Sequence, residues 1–351
     1  MTKDALLRKS LDLLYFSGIS RMLSGSLGGL GAIFMLHHVR PGGGEVEGFA
    51  PNAGLEISPK FLDAVILLAK ARGYRLVSFA EAVERVKTGR QDEPFACFTI
   101  DDAYYDIYEH AWPVFRRHDC PFTVFVAPAI TDGKCELWWR GLEAVIAGEQ
   151  QLTVEFGLRK ETLITETDAQ KQAAYEKIYW PLRHMKQKSQ RRWIRNLCEA
   201  HGIDLDALCR AEAMSWTELR NLAADPLCTL GAHTINHYAV AKLPPAEVLE
   251  EARESRSRIM QETGANVRFF AYPYGDETSA GPRDFKLIEE AGFEAAVTTR
   301  KGLIFAEHRQ HLTALPRVSL NGAFQKPRYV DVLLSGAPFL LWNGFKLVRA
   351  A

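Results

Sequence analysis

Short apolar runs recur along this chain, and segments of helical period separate them. Ala32 to Leu36, Phe95 to Ile100, Phe122 to Val126, Cys228 to Ala232, Phe269 to Tyr272, Ala295 to Thr298 and Leu315 to Val318 read as strands. Phe61 to Ala71, Phe79 to Val86, Tyr104 to His118 and Pro245 to Thr263 read as helices; in the last, Glu250, Glu251, Arg253 and Arg256 mark a solvated face. Repeated strand–helix alternation implies a mostly parallel sheet, open or closed into a barrel. The 351 residues suffice for one large barrel, and an apolar content of 47% supplies its core.

Three stretches lie outside that rhythm. Residues 143–214 are charged and helical in pattern with few strand signals; such an insertion is a lid or wall over a site, or a surface elaboration. In residues 1–30, Leu6, Leu7, Leu11, Leu14 and Met22 lie at helical spacing before Gly28, Gly29 and Gly31 break the pattern. The reading is a helix docked on the body, with a helix lying on a membrane surface or a partner as the alternative. Residues 326–351 form a C-terminal helical segment: Val330 to Phe345 is apolar, but Asp331, Pro338 and Asn343 interrupt it, which gives a packing helix pair rather than a membrane span. Residues 31–325 are left for the barrel and its insertion. Charges punctuate residues 1–21, leaving no secretory h-region, so the expected location is the cytoplasm or the inner membrane surface. Lys+Arg and Asp+Glu both number 43; without a basic excess a nucleic-acid partner is not expected, and a neutral glycan suits the balance. The six cysteines are scattered with no CxxC pair and read as free thiols.

Chemistry-bearing residues cluster at strand ends, where sites form in parallel α/β folds. Asp101 and Asp102 leave the buried strand Phe98-Thr99-Ile100; adjacent carboxylates there need a cation, or else cap a helix. Side chains alternate along an extended backbone, so one can bind a metal while its neighbour faces the reacting water. His233 and His237 follow another apolar strand, four apart on one face of a helical turn, where two imidazoles can converge on one ion. Phe269-Phe270-Ala271-Tyr272-Pro273-Tyr274-Gly275-Asp276 ends a third strand in a turn fixed by proline and released by glycine. It suits oxyanion stabilisation and sugar stacking, or is a plain structural turn.

In this order the three motifs resemble the polysaccharide deacetylases of carbohydrate esterase family 4, the nodulation-type chitooligosaccharide deacetylase domain. Phe98-Thr99-Ile100-Asp101-Asp102-Ala103 is similar to T-F-D-D-G, His233-Thr234-Ile235-Asn236-His237 to H-[ST]-x-x-H, and Ala271-Tyr272-Pro273-Tyr274-Gly275 to R-x-P-Y-G. The resemblance spans about Ala32 to Val318 and implies a distorted (β/α) barrel of about seven strands. It also implies a divalent metal on Asp102, His233 and His237, with Asp101 as general base and the Tyr274 amide facing the oxyanion. Two histidines and one carboxylate leave coordination positions open, as in catalytic zinc sites, although Co2+, Ni2+ or Fe2+ also suit the donors. The implied substrate is an N-acetylated glycan, with O-acetyl groups as a variant.

Three departures from the family pattern stand out. Ala103 replaces a glycine; if that position needs a positive φ, alanine is strained there, so either φ is negative or the loop differs. Ala271 replaces the arginine that partners the base; Arg268 would face the wrong side of the strand, and Arg317 is the better candidate for the base or for substrate. The late histidine acid is missing, and His308 and His311 read as surface residues. Met35-Leu36-His37-His38-Val39 resembles an early Y-H-x-V-like motif of the poly-N-acetylglucosamine deacetylase-like subset, which makes His37 the acid, against a capped strand end. Trp138 and Trp139 read as a loop platform for sugars or as core, with Tyr272 and Pro273 as further sugar contacts. Hydrolysis of another linear or cyclic amide, and a catalytically impaired glycan-binding or assembly protein, are the alternatives.

Overall fold

In the computed structural model, which describes residues 3–44, 47–90, 92–156 and 159–348, seven parallel strands close a ring in the order in which the chain makes them. They are β1 (Gly31–Leu36), β2 (Phe95–Asp101), β3 (Phe122–Val126), β4 (Cys228–Ala232), β5 (Phe269–Ala271), β6 (Ala295–Lys301) and β7 (Leu315–Ser319). β1 closes the ring: its Phe34 lies opposite Phe98 of β2 on one side and Val318 of β7 on the other. The two-residue strand Arg75–Leu76 adds to the start of β2. This is the expected distorted (β/α) barrel, and the distortion lies in the connections. Helices Pro59–Ala71, Phe79–Thr88, Trp112–Arg117, Pro245–Thr263 and Pro282–Glu290 cover it, but only 3-10 turns join β6 to β7.

Alternation along each strand sends one set of side chains into the ring and the other toward the helices. Ile33, Cys97, Phe125, Phe269, Val297 and Leu315 fill the interior, and the ring of Phe79 closes it from below against Phe125 and Phe269. Phe34, Phe98, Val124, Phe270 and Val318 pack outward, where Leu62, Val65 and Ile66 meet them. Each buried Phe or Val contributes on the order of 1.5–3 kcal/mol, so a one-residue slip, which would reverse every side chain, is strongly opposed. The inward parity continues along β2 from Cys97 to Thr99 and Asp101, along β7 from Leu315 to Arg317, and past β1 from Ile33 to His37. An apolar floor thus gives way to polar groups at the carboxyl ends.

Two expectations need local correction. The helix expected over Tyr104 to His118 runs unbroken from residue 105 to 117 but is not α throughout: residues Ile107–Ala111 widen into a π turn between the α-helical residues 105–106 and the α-helix Trp112–Arg117. Pro113 lacks the N–H that would close the preceding α turn. The insertion also holds an antiparallel hairpin, Gln151–Phe156 with Arg159–Ile164, where helices were expected. Its helices Asp168–His184, Gln187–Ala200 and Leu205–Glu212 share an apolar cluster with helix Trp138–Gly148. That cluster runs on to Tyr104, Ala127 and Tyr274 at the barrel mouth, so the insertion is a packed wall. Residues 1–30 contain two helices, Lys3–Phe16 and Ile19–Leu27, and the C-terminal segment is the helix pair Pro327–Leu334 and Ala337–Trp342. Asp12 ties the two ends together by accepting hydrogen bonds from Arg328 at 2.6 Å and Tyr329 at 3.2 Å. Among the described residues no helix is long and apolar enough to cross a membrane. All six cysteines are free, and Cys228 alone is not fully buried.

Candidate metal centre and active site

Asp102, His233 and His237 converge at the mouth of the barrel. The Nε2 atoms of His233 and His237 lie 3.3 and 3.1 Å from Asp102 Oδ1, yet no hydrogen bond satisfies that oxygen. His233 Nδ1 is 2.7 Å from the Ala271 carbonyl, which can only accept, so the proton sits on Nδ1 and the Nε2 lone pair points at the cluster. Three buried donor atoms aimed at one place without bonding each other fit a divalent cation. The histidines do not share a helical turn, as their spacing suggested. Residues 233–237 form an irregular loop after β4, in which Thr234 (φ +58°) and His237 (φ +53°) take left-handed backbone.

Asp101, the last residue of β2, faces inward and receives both arms of Arg317, Nη1 to Oδ1 at 2.8 Å and Nη2 to Oδ2 at 2.6 Å. Burial pushes the Asp101 carboxyl up, but the Arg317 guanidinium outweighs it and holds the pKa below its ordinary value. Arg317 also donates to Thr99 Oγ1 and the Thr298 carbonyl. It is 1% exposed and fully engaged by the protein, so it is no substrate contact. His37 Nε2 lies 3.9 Å from Asp101 Oδ2 with its side chain 18% exposed; burial pushes its pKa down, against the pull of Asp101 and Asp102. Asp101 and Asp102 are separated by a left-handed turn rather than by extended alternation: φ is +75° at Asp102 and +59° at Ala103. Ala103 therefore keeps the left-handed conformation that favours glycine, and the expected escape of a negative φ does not occur.

The third turn brings in Tyr274, again left-handed at φ +63°. Among the described residues no acceptor takes up its amide N–H, while its carbonyl receives Thr299 Oγ1 at 2.6 Å. Gly275 lies so close to β6 that a Cβ would meet the Thr299 nitrogen at 2.6 Å. The Tyr274 hydroxyl accepts from Trp138 Nε1 at 2.8 Å, and burial pushes its pKa up to about 12. Tyr272 is not a sugar contact: it shares the outward parity of Phe270, is fully buried against Phe285, and donates to the Thr313 carbonyl. Pro273 is buried as well. Trp138 and Trp139 open a helix instead of standing on a loop, and both are buried, Trp139 against the His237 ring.

The family description "Polysaccharide deacetylase" matches residues 88–296, more than half of the chain. The chain belongs to the polysaccharide deacetylase family. A search of curated protein sequences gives no significant match. Among solved structures, this deacetylase-family chain resembles the Streptococcus pyogenes deacetylase PplD in complex with acetate, at 15% identity and a TM-score of 0.54 over 86% of this chain and 96% of that one. It also resembles IcaB from Ammonifex degensii (17% identity, TM-score 0.53, 87% and 96% covered). The BpsB deacetylase domain from Bordetella bronchiseptica follows at 15% identity and a TM-score of 0.50, over 84% and 96% of the two chains. At these identities the likeness is one of fold.

Several residues that organise this deacetylase-family site escaped the sequence reading. Glu251, taken for a solvated residue, is 9% exposed. Its carboxylate accepts from the amides of Ile235 and Asn236 at 2.8 and 2.9 Å and from Asn236 Nδ2 at 2.6 Å, which shapes the loop between the histidines. Arg191 of the insertion donates to the carbonyls of Asn236 and His237, both at 3.3 Å, and to that of Glu136. Arg183 lies over the Tyr274 ring at 4.1 Å and bonds Asp276. His38 has the outward parity: it stacks on Tyr104 at 3.8 Å and meets Asp106 at 2.7 Å. With Glu212 these groups resemble a second ligand cluster, but Arg40 already supplies the cation, reaching Asp106 at 2.7 Å and Glu212 at 3.0 Å. His308 is not a surface residue: it is fully buried, Nδ1 accepts the Phe305 amide at 3.0 Å, and burial pushes its pKa down to about 4.

Proposed function

We propose that this protein is a metal-dependent hydrolase that removes acetyl groups from an N-acetylated glycan, with Asp101 as base and His37 as acid. The observation that carries the reading is the convergence of Asp102 Oδ1 with two histidine Nε2 atoms, beside a carboxylate held ionised by Arg317. Asp102, His233 and His237 would hold the cation, and zinc is the ion this donor set favours. When bound, a divalent cation there lowers the pKa of coordinated water and polarises an acyl carbonyl.

The chain's own residues divide the remaining work. Asp101 accepts a proton from the attacking water at Oδ2, the oxygen nearest His37. The Tyr274 N–H donates to the carbonyl oxygen as it gains charge. His37 delivers a proton to the nitrogen as the C–N bond breaks, so acetate and a free amine leave. The reacting carboxylates and imidazoles are nearly buried, which admits a small projecting acyl group to their level. Arg317 supplies the cation that Ala271 lacks, which weakens the case for an impaired enzyme.

Acetate release from N- and O-acetylated oligosaccharides, measured with added divalent metals, tests the reading. Asp101→Asn should retain metal and lose turnover by about a hundredfold or more. His233→Ala should lose metal and turnover together. An undiminished rate in Asp101→Asn would exclude it as base, and no release with any metal would overturn the function.

A further inference from the structure

The two ends of the chain build a face whose hydrophobicity is turned outward. Helix Lys3–Phe16 packs Leu7, Leu11, Leu14 and Tyr15 around Tyr329 and Val332, yet also presents Leu6, Leu13 and Phe16 on its other side, 56%, 71% and 74% exposed. Helix Ile19–Leu27 is inverted: Ser20 is buried, while Ile19, Met22 and Leu23 are exposed, Met22 at 83%. At the other end Leu341, Trp342, Phe345 and Leu347 are exposed. Of the fifteen large apolar side chains exposed among the described residues, ten lie in these two stretches. The stretches adjoin, because Gly336, at the head of the last helix, approaches Leu27 too closely for any side chain.

Charge decides between occupants. Arg8, Lys9, Arg21 and Lys346 are exposed around this face. Of the acids nearby, Asp12 is engaged by Arg328 and Asp331 by Arg72. Glu93 and Glu307 border the cavity on the Ser20 side of helix Ile19–Leu27, and Asp4 remains beside Leu6. Apolar side chains flanked by cations, with an exposed tryptophan among them, are the chemistry of a helix lying in an anionic lipid interface. A second copy fits less well, since a two-fold contact would set this cationic face against itself.

We propose that the outer face of helices Lys3–Phe16, Ile19–Leu27 and Ala337–Trp342 docks the protein on an anionic lipid surface. This assignment is independent of the chemistry in the barrel. The full chain should float with vesicles of mixed phosphatidylcholine and phosphatidylglycerol, much less with phosphatidylcholine alone, and less at high salt. The double variant Met22→Glu, Leu23→Glu changes only exposed side chains and should keep the wild-type melting curve while partitioning roughly tenfold less. Charge removal by Arg8→Ala, Lys9→Ala and Arg21→Ala should weaken partitioning to the anionic vesicles alone. Three results would overturn the proposal: no flotation with anionic vesicles, wild-type flotation of the glutamate variant, or a stable dimer in light scattering that the glutamate variant dissociates.

Discussion

Replacing Arg317 by methionine removes the cation from Asp101 while filling much of the same volume. Two charge-assisted hydrogen bonds disappear, at 2.8 and 2.6 Å, each worth about 1.5–3 kcal/mol. Asp101 is 2% exposed, so bulk water replaces them poorly, and burial, which the arginine now outweighs, is left to raise the carboxyl. Loss of a cation at this distance moves a carboxylate by about 1–3 pH units, at about 1.4 kcal/mol per unit. Turnover requires the ionised base, so the acid limb of kcat/KM should move upward by that amount and activity should recover at alkaline pH. The sign for stability follows from the same pair. With its folded pKa below the unfolded one, Asp101 stabilises the fold above the ordinary carboxylate range, and the contribution is lost as pH falls through the folded value. The variant should therefore be less stable at neutral pH by about 3–5 kcal/mol, the cost of breaking a buried pair, unless Asp101 takes up a proton instead. A pH–rate profile of acetate release, with thermal unfolding at each pH, reads both effects. An acid limb unmoved in Arg317→Met would refute the pairing as the source of the ionised base.

Glu251→Gln keeps the shape but removes the charge that two loop amides share, so metal affinity in a chelator competition should fall about 10–100-fold with the fold intact. Unchanged affinity would leave Glu251 a mere packing residue. Ala103→Gly relieves a left-handed alanine and should raise the free energy of urea unfolding by about 0.5–1 kcal/mol, the balance of backbone strain against glycine's entropy.

The strand pattern was legible because buried parallel strands must be apolar, and alternation then fixes which groups enter the barrel. Carried one step further, alternation would have placed Tyr272 with Phe270 on the outward face, His38 opposite His37, and Arg317 inward with Leu315. What a linear pattern does not carry is the loop. The i, i+4 spacing of His233 and His237 suggested a helix, whereas Glu251, from a helix that starts eight residues after His237, holds their loop open. Glu251 sat among charged neighbours that are solvated, and nothing local distinguishes a carboxylate that caps distant amides. The hairpin at Gln151–Phe156 did have a signal, the alternation of Leu152 and Val154 with polar residues, but charge around it masked the period. Ala103 shows another limit: sequence can name a strained position, while only the packed turn shows that the strain is kept.

Closure of the ring by β1 against β7 also fixes when the reactive carboxylate acquires its counter-charge. Asp101 and Arg317 lie 216 residues apart, and β1 remains without one of its two neighbours until β7 has been made. During synthesis the amino-terminal strands emerge long before the strand that completes them, and such non-local pairing is slow to form. A chain that stops short of Arg317 carries an unneutralised carboxylate facing an open barrel, so incomplete products should be poorly folded rather than partly active. The geometry that keeps Asp101 ionised in the finished molecule thereby links competence to completion of the chain.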